Sequence, residues 1–319
     1  MFLLHQRRYF AMNFHCFQRS FSPASSSYQS PLVPVNLPSP METHFWFVLP
    51  DQIRSSSLMN RYSELLSPCE KDHVLSMRGD QLRKSALLAR ALVRTTIARY
   101  TNSLVDPKSL KFRKNSYGKP EVDWENADWQ PAPLHFNISH TSSLIACGVT
   151  VDAQIGIDVE EKARKIKSHV LAFARRYFSS HELEHLSAIT NPEIQRQEFM
   201  KLWTLKEAYV KALGRGFSAA PFNTFTIRFR PVIPKGEIRV LKDTDKKASE
   251  IIVESFDDPN ILTSNWQFAL MELDGSHYAA ICMEKAKLVE GKEPLPLRLS
   301  VRRTIPFVED ECITGTNML

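Results

Sequence analysis

Two carboxylates, Asp158 and Glu160, stand two residues apart in the segment GIDVEE (Gly156–Glu161), at the end of an apolar run that reads as a β-strand. A strand repeats its facing every second residue, so both acids project from one side, a few ångströms apart. Such a pair repels unless a cation sits between its members. Oxygen-only ligands suit Mg2+ or Mn2+ and leave coordination positions for water and a substrate phosphate. Taken alone, the commoner reading is the solvent-exposed acidic end of a strand. A third acid, Glu207, lies in WTLKEAYVKALGRG (Trp203–Gly216) between Lys206 and Lys211. Glu207 and Lys211 have the spacing of an exposed helical salt bridge, worth a few tenths of a kcal/mol. Trp203 and Tyr209 in the same two turns indicate a buried helix instead, whose carboxylate could complete a metal site or serve as a general base.

Two further segments carry phosphate-seeking groups. In HFNISHT (His135–Thr141), Ser139 and His140 sit where a strand turns, and together they can hydrogen-bond a phosphate oxygen. A histidine at a strand end is more often structural, but this one precedes Asp158 by one strand pair. No nearby acid supports a Ser–His hydrolytic triad, and there is no GxSxG elbow. In YGKP (Tyr117–Pro120), Lys119 follows a glycine at a turn. There is no Walker loop, kinase motif or dinucleotide fingerprint. The residues alone support Mg2+-assisted phosphoryl-group transfer or pyrophosphate cleavage.

The elements that must position these groups read as follows. His44–Leu49 (HFWFVL) is a short buried strand, and Pro68 to Tyr100 shows helical spacing, with a Gly- and Pro-free stretch rich in helix formers. Strands are expected at Leu110–Arg113 and Lys119–Val122 around a turn at Ser116–Gly118. His135–Ser139, Leu144–Val151 and Ile155–Glu160 then suggest an antiparallel meander. Helices are expected at Ser168–Phe178, Ser180–Ile189 and Pro192–Leu213, the last stopped by Gly214 and Gly216. Strand Phe225–Phe229 follows, then a hairpin, Trp266–Leu273 with His277–Glu284, turned by Asp274-Gly275. Helix followed by antiparallel strands, twice over, is an α+β pattern of two similar lobes. The expected division is a leader at 1–41, an N-terminal lobe at 42–154, a C-terminal lobe with the metal and catalytic motifs at 155–287, and a peripheral tail at 288–319.

Residues 1–41 contain Arg7, Arg8 and Arg19, a Ser-rich run followed by Pro31, Pro34, Pro38 and Pro40, but no Asp or Glu. This is the composition of an organelle transit peptide, with mitochondria favoured over plastids by the early basic and aromatic residues. Met12 and Met41 are alternative starts that would leave a cytoplasmic form. Removing 1–41 takes three arginines and no acids, and lowers the formal charge of the 319-residue chain from +6 to +3. So weak a charge, with no recognition motif, gives no support for a nucleic-acid partner. Nothing approaches eighteen consecutive apolar residues, so no membrane span is expected. The five cysteines are scattered without a CxxC pair, which argues for reduced thiols.

The chain resembles the Sfp-type 4′-phosphopantetheinyl transferases, in particular the larger human- and fungal-like branch. The resemblance rests on GIDVEE followed by WTLKEAYVK, close to the family pattern (V/I)G(V/I)D…(F/W)xxKE(S/A)xxK, with NISH and YGKP upstream in order. It covers roughly Lys71 to Phe229. It implies a monomer of two like α/β lobes joined as a pseudo-dimer, with coenzyme A in the cleft between them. Its activity would be transfer of the phosphopantetheine arm to a serine of an apo acyl carrier protein, releasing adenosine 3′,5′-bisphosphate. Carried over by motif, Asp158, Glu160 and Glu207 hold Mg2+, and Glu207, Asp158 and Lys211 form the catalytic set, with Glu207 taking the serine proton. Lys119, Ser139, His140 and Lys211 contact coenzyme A phosphates, with Asp158 facing them through the metal and Lys206 a further candidate there. Arg78 and Arg83 fall near the nucleotide. A mitochondrial address makes the acyl carrier protein of fatty acid biosynthesis in that compartment the natural acceptor. A non-catalytic protein of the same architecture, binding carrier or coenzyme A without transfer, is the alternative. The intact acid trio argues against it.

Overall fold

The structure, a computed structural model, describes residues 32–124, 133–166, 169–216, 220–231, 249–255, 265–285 and 297–313. The chain enters through β1 (Glu42–Val48), then α1 (Ser56–Leu65), α2 (Pro68–Ser76) and the long α3 (Asp80–Arg99). A two-stranded ribbon, β2 (Lys111–Lys114) with β3 (Pro120–Asp123), leads to the hairpin β4 (Leu134–His140) and β5 (Ile145–Val151). The same succession then recurs. It runs through β6 (Ile155–Glu161), α4 (Val170–Tyr177), α5 (Ser180–Ser187), the long α6 (Pro192–Leu213), a ribbon of β7 (Phe225–Pro231) with β8 (Ser249–Ser255), and the hairpin β9 (Trp266–Leu273) with β10 (His277–Glu284). The chain closes with β11 (Arg298–Ile305) and β12 (Glu309–Ile313).

Local chemistry fixes the boundaries. Ser67 with Glu70 and Ser179 with Glu182 form capping boxes that start α2 and α5. Asn191 caps α6, with Pro192 at its first position, and left-handed Gly214 (φ 64°) ends it. The helical spacing from Pro68 to Tyr100 is divided at Gly79 (φ 94°), a backbone conformation that a side chain would strain. Asp274 and Gly275, both at positive φ, make the expected tight turn between β9 and β10.

Strand order is β12-β11-β1-β5-β4 in one sheet and β6-β10-β9 in the other. The expected three-strand meander is therefore broken. β4 and β5 pair, but β6 leaves them and pairs antiparallel with β10. The reason lies in β4, whose side chains take the place of a backbone ladder. Asn137 Oδ1 accepts from Ile157 N (2.9 Å) and Ser139 Oγ accepts from Val159 N (3.2 Å). An apolar cluster that includes Phe45, Phe47, Ile157 and Ile281 joins the two sheets. α3 covers Trp46 and Cys147 of the first sheet, and α6 covers Tyr278 and Ala280 of the second.

Both terminal assignments need correction. The described part of the expected tail at 288–319 is not peripheral: β11 runs parallel to β1 inside the first sheet, with Val301 buried. Its pattern RLSVRRTI reads as surface because three arginines and two hydroxyl residues outnumber its apolar side chains, yet its backbone supplies the ladder that β1 needs. Likewise, residues 32–41 belong to the folded body and not to a separate leader. Leu32 and Val35 pack on the first core, Val35 N donates to Arg99 O (3.1 Å), and Arg99 Nη1 donates to Val33 O (3.1 Å). The remainder of the expected leader lies outside the described residues. Among the described residues no disulfide joins Cys69, Cys147, Cys282 and Cys312, and Cys16 also lies outside. Among the described residues no helix is long and apolar enough to cross a membrane.

Candidate active site

The site is built where β6 meets α6 and β4. Along β6, Ile155, Ile157 and Val159 enter the cluster between the sheets, so the alternation of the strand turns Gly156, Asp158 and Glu160 toward α6. Gly156 sets how close the helix comes. A Cβ there would lie 2.0 Å from Ala208 O and 2.2 Å from Ala212 N, so only glycine admits the helix backbone onto the strand. That approach carries Lys211 to Asp158. Lys211 Nζ donates to Asp158 Oδ1 (2.8 Å) and to Ser139 Oγ (2.9 Å), and Ser139 Oγ in turn donates to Asp158 Oδ1 (2.9 Å). The resulting triangle ties three elements with charge-assisted bonds around a carboxylate that is 0% exposed.

Glu207 lies one turn before Lys211 on α6 and is buried, as is Glu160. Glu160 accepts from the guanidinium of Arg164, a residue that the sequence reading did not single out. The three expected metal ligands thus share one buried layer between strand and helix, but in this arrangement Lys211 holds Asp158 and Arg164 holds Glu160. Among the described residues no three His, Cys, Asp or Glu side chains draw together as a metal site. The donor set itself, all carboxylate oxygen and withdrawn from bulk water, fits a hard divalent cation.

The other candidates divide. His140 ends β4, directly after Ser139. Arg78 and Arg83 are exposed at the start of α3, where Arg83 donates to Met77 O (3.0 Å) and lies 3.4 Å from Asp80. Lys119 stands at the opposite end of β6, its Nζ donating to Ile155 O (2.9 Å) and Gln154 Oε1 (3.2 Å). Three residues of strand, roughly 10 Å, separate its anchor from Asp158. Lys206 is not near the phosphate-seeking groups. It is 0% exposed and donates to Glu182 Oε1 (2.8 Å) and Phe225 O (2.6 Å), which makes it a brace between α6, α5 and β7.

Burial pulls the Lys119 ammonium down to about 8, against the smaller opposing pull of Glu121. It is charged below that pH and neutral above it. If the charge helps bind phosphate, kcat/KM for an anionic substrate should fall above about pH 8. Lys119→Arg, which keeps its charge, should hold kcat/KM level to pH 9 or beyond. A wild-type profile that stays flat through this range would remove Lys119 from the binding set.

Two family models match in chain order: one described as 4′-phosphopantetheinyl transferase, N-terminal, over residues 55–150, and one described as the 4′-phosphopantetheinyl transferase superfamily, over 154–271. HetI, a 4′-phosphopantetheinyl transferase of Nostoc, is 32% identical over 194 residues, which cover 60% of this chain and 76% of HetI. The chain belongs to the 4′-phosphopantetheinyl transferase family. A 4′-phosphopantetheinyl transferase of Bacillus subtilis is 35% identical over 146 residues, 45% of this chain, and the match spans 58% of the bacterial protein. The L-aminoadipate-semialdehyde dehydrogenase-phosphopantetheinyl transferase of Xenopus laevis is 25% identical over 234 residues, 72% of each chain. Within the family matches, the boundary near residue 154 falls between β5 and β6, where the succession of elements begins again.

Proposed function

We propose that the chain transfers the 4′-phosphopantetheine arm of coenzyme A to a serine of an apo acyl carrier protein, as a Mg2+-dependent holo-[acyl-carrier-protein] synthase. The observation that carries this reading is Lys211 bonded at once to Asp158 and Ser139, with Glu207 one turn away and Glu160 on the same strand face. An ammonium, a hydroxyl and buried carboxylates at one junction are the groups that handling a pyrophosphate ester requires.

In the reaction the serine Oγ of the carrier attacks the phosphorus that bears the pantetheine arm. The bond from that phosphorus to the bridging oxygen breaks, and adenosine 3′,5′-bisphosphate leaves with the electron pair. The serine proton passes to Glu207, directly or through a water. Lys211, Ser139, His140 and Lys119 bind phosphate oxygens, and Arg78 and Arg83 face the nucleotide end. Asp158, Glu160 and Glu207 are the residues that would hold Mg2+, which when bound offsets charge on the pyrophosphate. The repeated succession of elements supports a pseudo-dimer of two lobes within one chain, acting as a monomer, with coenzyme A between them. The acid-free composition of residues 1–31 supports a mitochondrial address and the carrier protein of that compartment as acceptor.

The test is incubation with coenzyme A and Mg2+ against mitochondrial and cytosolic apo carriers in parallel. One pantetheine arm should appear on the mitochondrial carrier by mass spectrometry, and excess EDTA should abolish it. No addition to any carrier would overturn the proposal. A fluorescent reporter carrying residues 1–31 tests the address separately.

A further inference from the structure

The Asp158–Lys211 triangle does not use a second polar cluster at the far end of β6. His277 opens β10, opposite Glu161 in register, and is 2% exposed. Its Nε2 lies 3.1 Å from Thr141 Oγ1 and 3.0 Å from Ser143 Oγ, and its Nδ1 lies 2.8 Å from Ser276 Oγ. Glu161 Oε1 accepts from Ser142 Oγ (2.5 Å) and Ser143 Oγ (2.7 Å). These distances assign the protons. Ser143 has one, given to Glu161, so toward His277 its oxygen accepts. Thr141 Oγ1 already accepts from Ser143 N (3.2 Å) and Leu144 N (3.0 Å), so Nε2 carries the imidazole proton and gives it to Ser143, while Nδ1 accepts from Ser276.

The turn held in this way connects the candidate groups. Thr141 follows His140, which follows Ser139 of the triangle. Ser142 O receives Gln81 Nε2 (3.5 Å) from the first turn of α3, between Arg78 and Arg83. Thr141, Ser142 and Ser143 belong to the first run of elements, Glu161 and His277 to the second. We infer that His277 is a positioning residue for coenzyme A: by donating through Nε2 it fixes the β4–β5 turn against β6, and so sets His140 and the start of α3 relative to the carboxylates. Burial, aided by Lys162, depresses the basicity of His277 against the pull of Glu161 and Asp274, which keeps the ring in the neutral form this bonding uses. The inference rests on the proposed use of coenzyme A.

Calorimetric titration with coenzyme A and Mg2+, alongside steady-state transfer, tests it. His277→Leu should raise Kd and KM for coenzyme A roughly tenfold, the scale of one buried hydrogen bond, with kcat within about twofold. His277→Gln, whose amide N–H reaches near the position of Nε2, should recover most of that loss. A general loosening of the fold would lower kcat and the thermal midpoint in both variants and show no such rescue. If His277→Leu does not fold, Thr141→Val with Ser143→Ala removes both hydroxyls that face Nε2 and should reproduce the rise in KM. Unchanged affinity in these variants, or glutamine no better than leucine, overturns the inference alone. Wild-type protein that binds no coenzyme A removes the functional reading and this inference with it.

Discussion

Glu207→Gln is expected to lower turnover by about 10²–10⁴-fold, the range for loss of a positioned general base. That range corresponds to about 2.7–5.5 kcal/mol of transition-state free energy. Glutamine matches glutamate in size, and α6 is held on both sides of position 207 by Trp203, Leu205, Ala208 and Tyr209, all buried. The helix should therefore remain seated on Gly156, and coenzyme A affinity should fall far less than kcat. The measurement is kcat and KM for coenzyme A at saturating carrier, with a melting curve on the same sample. A small, equal loss in both parameters would argue that Glu207 binds and does not take the proton.

Lys206→Met is expected to do the opposite, lowering stability by about 3–5 kcal/mol while leaving the kinetics of the folded enzyme near wild type. The lysine is matched by Glu182, whose carboxylate also accepts from Ser179 N (3.0 Å) and Ile227 N (2.8 Å). Its ammonium lies 4.0 Å from the centre of the Phe225 ring. Burial draws Lys206 down to about 8 even with this partner. Removing the cation strands a buried carboxylate among apolar rings, a larger penalty than the modest net gain of making the pair. For a domain of this size the thermal midpoint should fall on the order of 10 °C. Weakened coenzyme A binding at an unchanged midpoint would return Lys206 to the phosphates.

The contrast between Lys206 and Lys211 marks where the sequence stops being informative. Both lie in one helix, five residues apart. In a helix with a polar face, periodicity would separate them. α6 is buried on nearly every side from Phe199 to Val210, so no polar stripe orients it, and only Glu182 in α5 reveals where Lys206 goes. The shared facing of Asp158 and Glu160 is legible because strand alternation fixes it locally. Arg164 and His277 carry no such signal: their partners lie across a turn or on another strand, and proximity alone defines them. β11 gives no such signal either, because Arg298, Arg302 and Arg303 make its segment look like surface while its contribution is made through the backbone.

That last pairing has a consequence for biosynthesis. β1, with its apolar run Phe45–Val48, is flanked on one side by β5 and on the other by β11, about 250 residues later in the chain. At a synthesis rate of ~5–20 residues per second, the ribosome releases β11 only some tens of seconds after β1. Until then one margin of the first sheet presents open peptide groups beside a hydrophobic strand, the situation in which nascent chains stick to one another. The strand order thus leaves that margin open until residues 298–305 are available to pair with it.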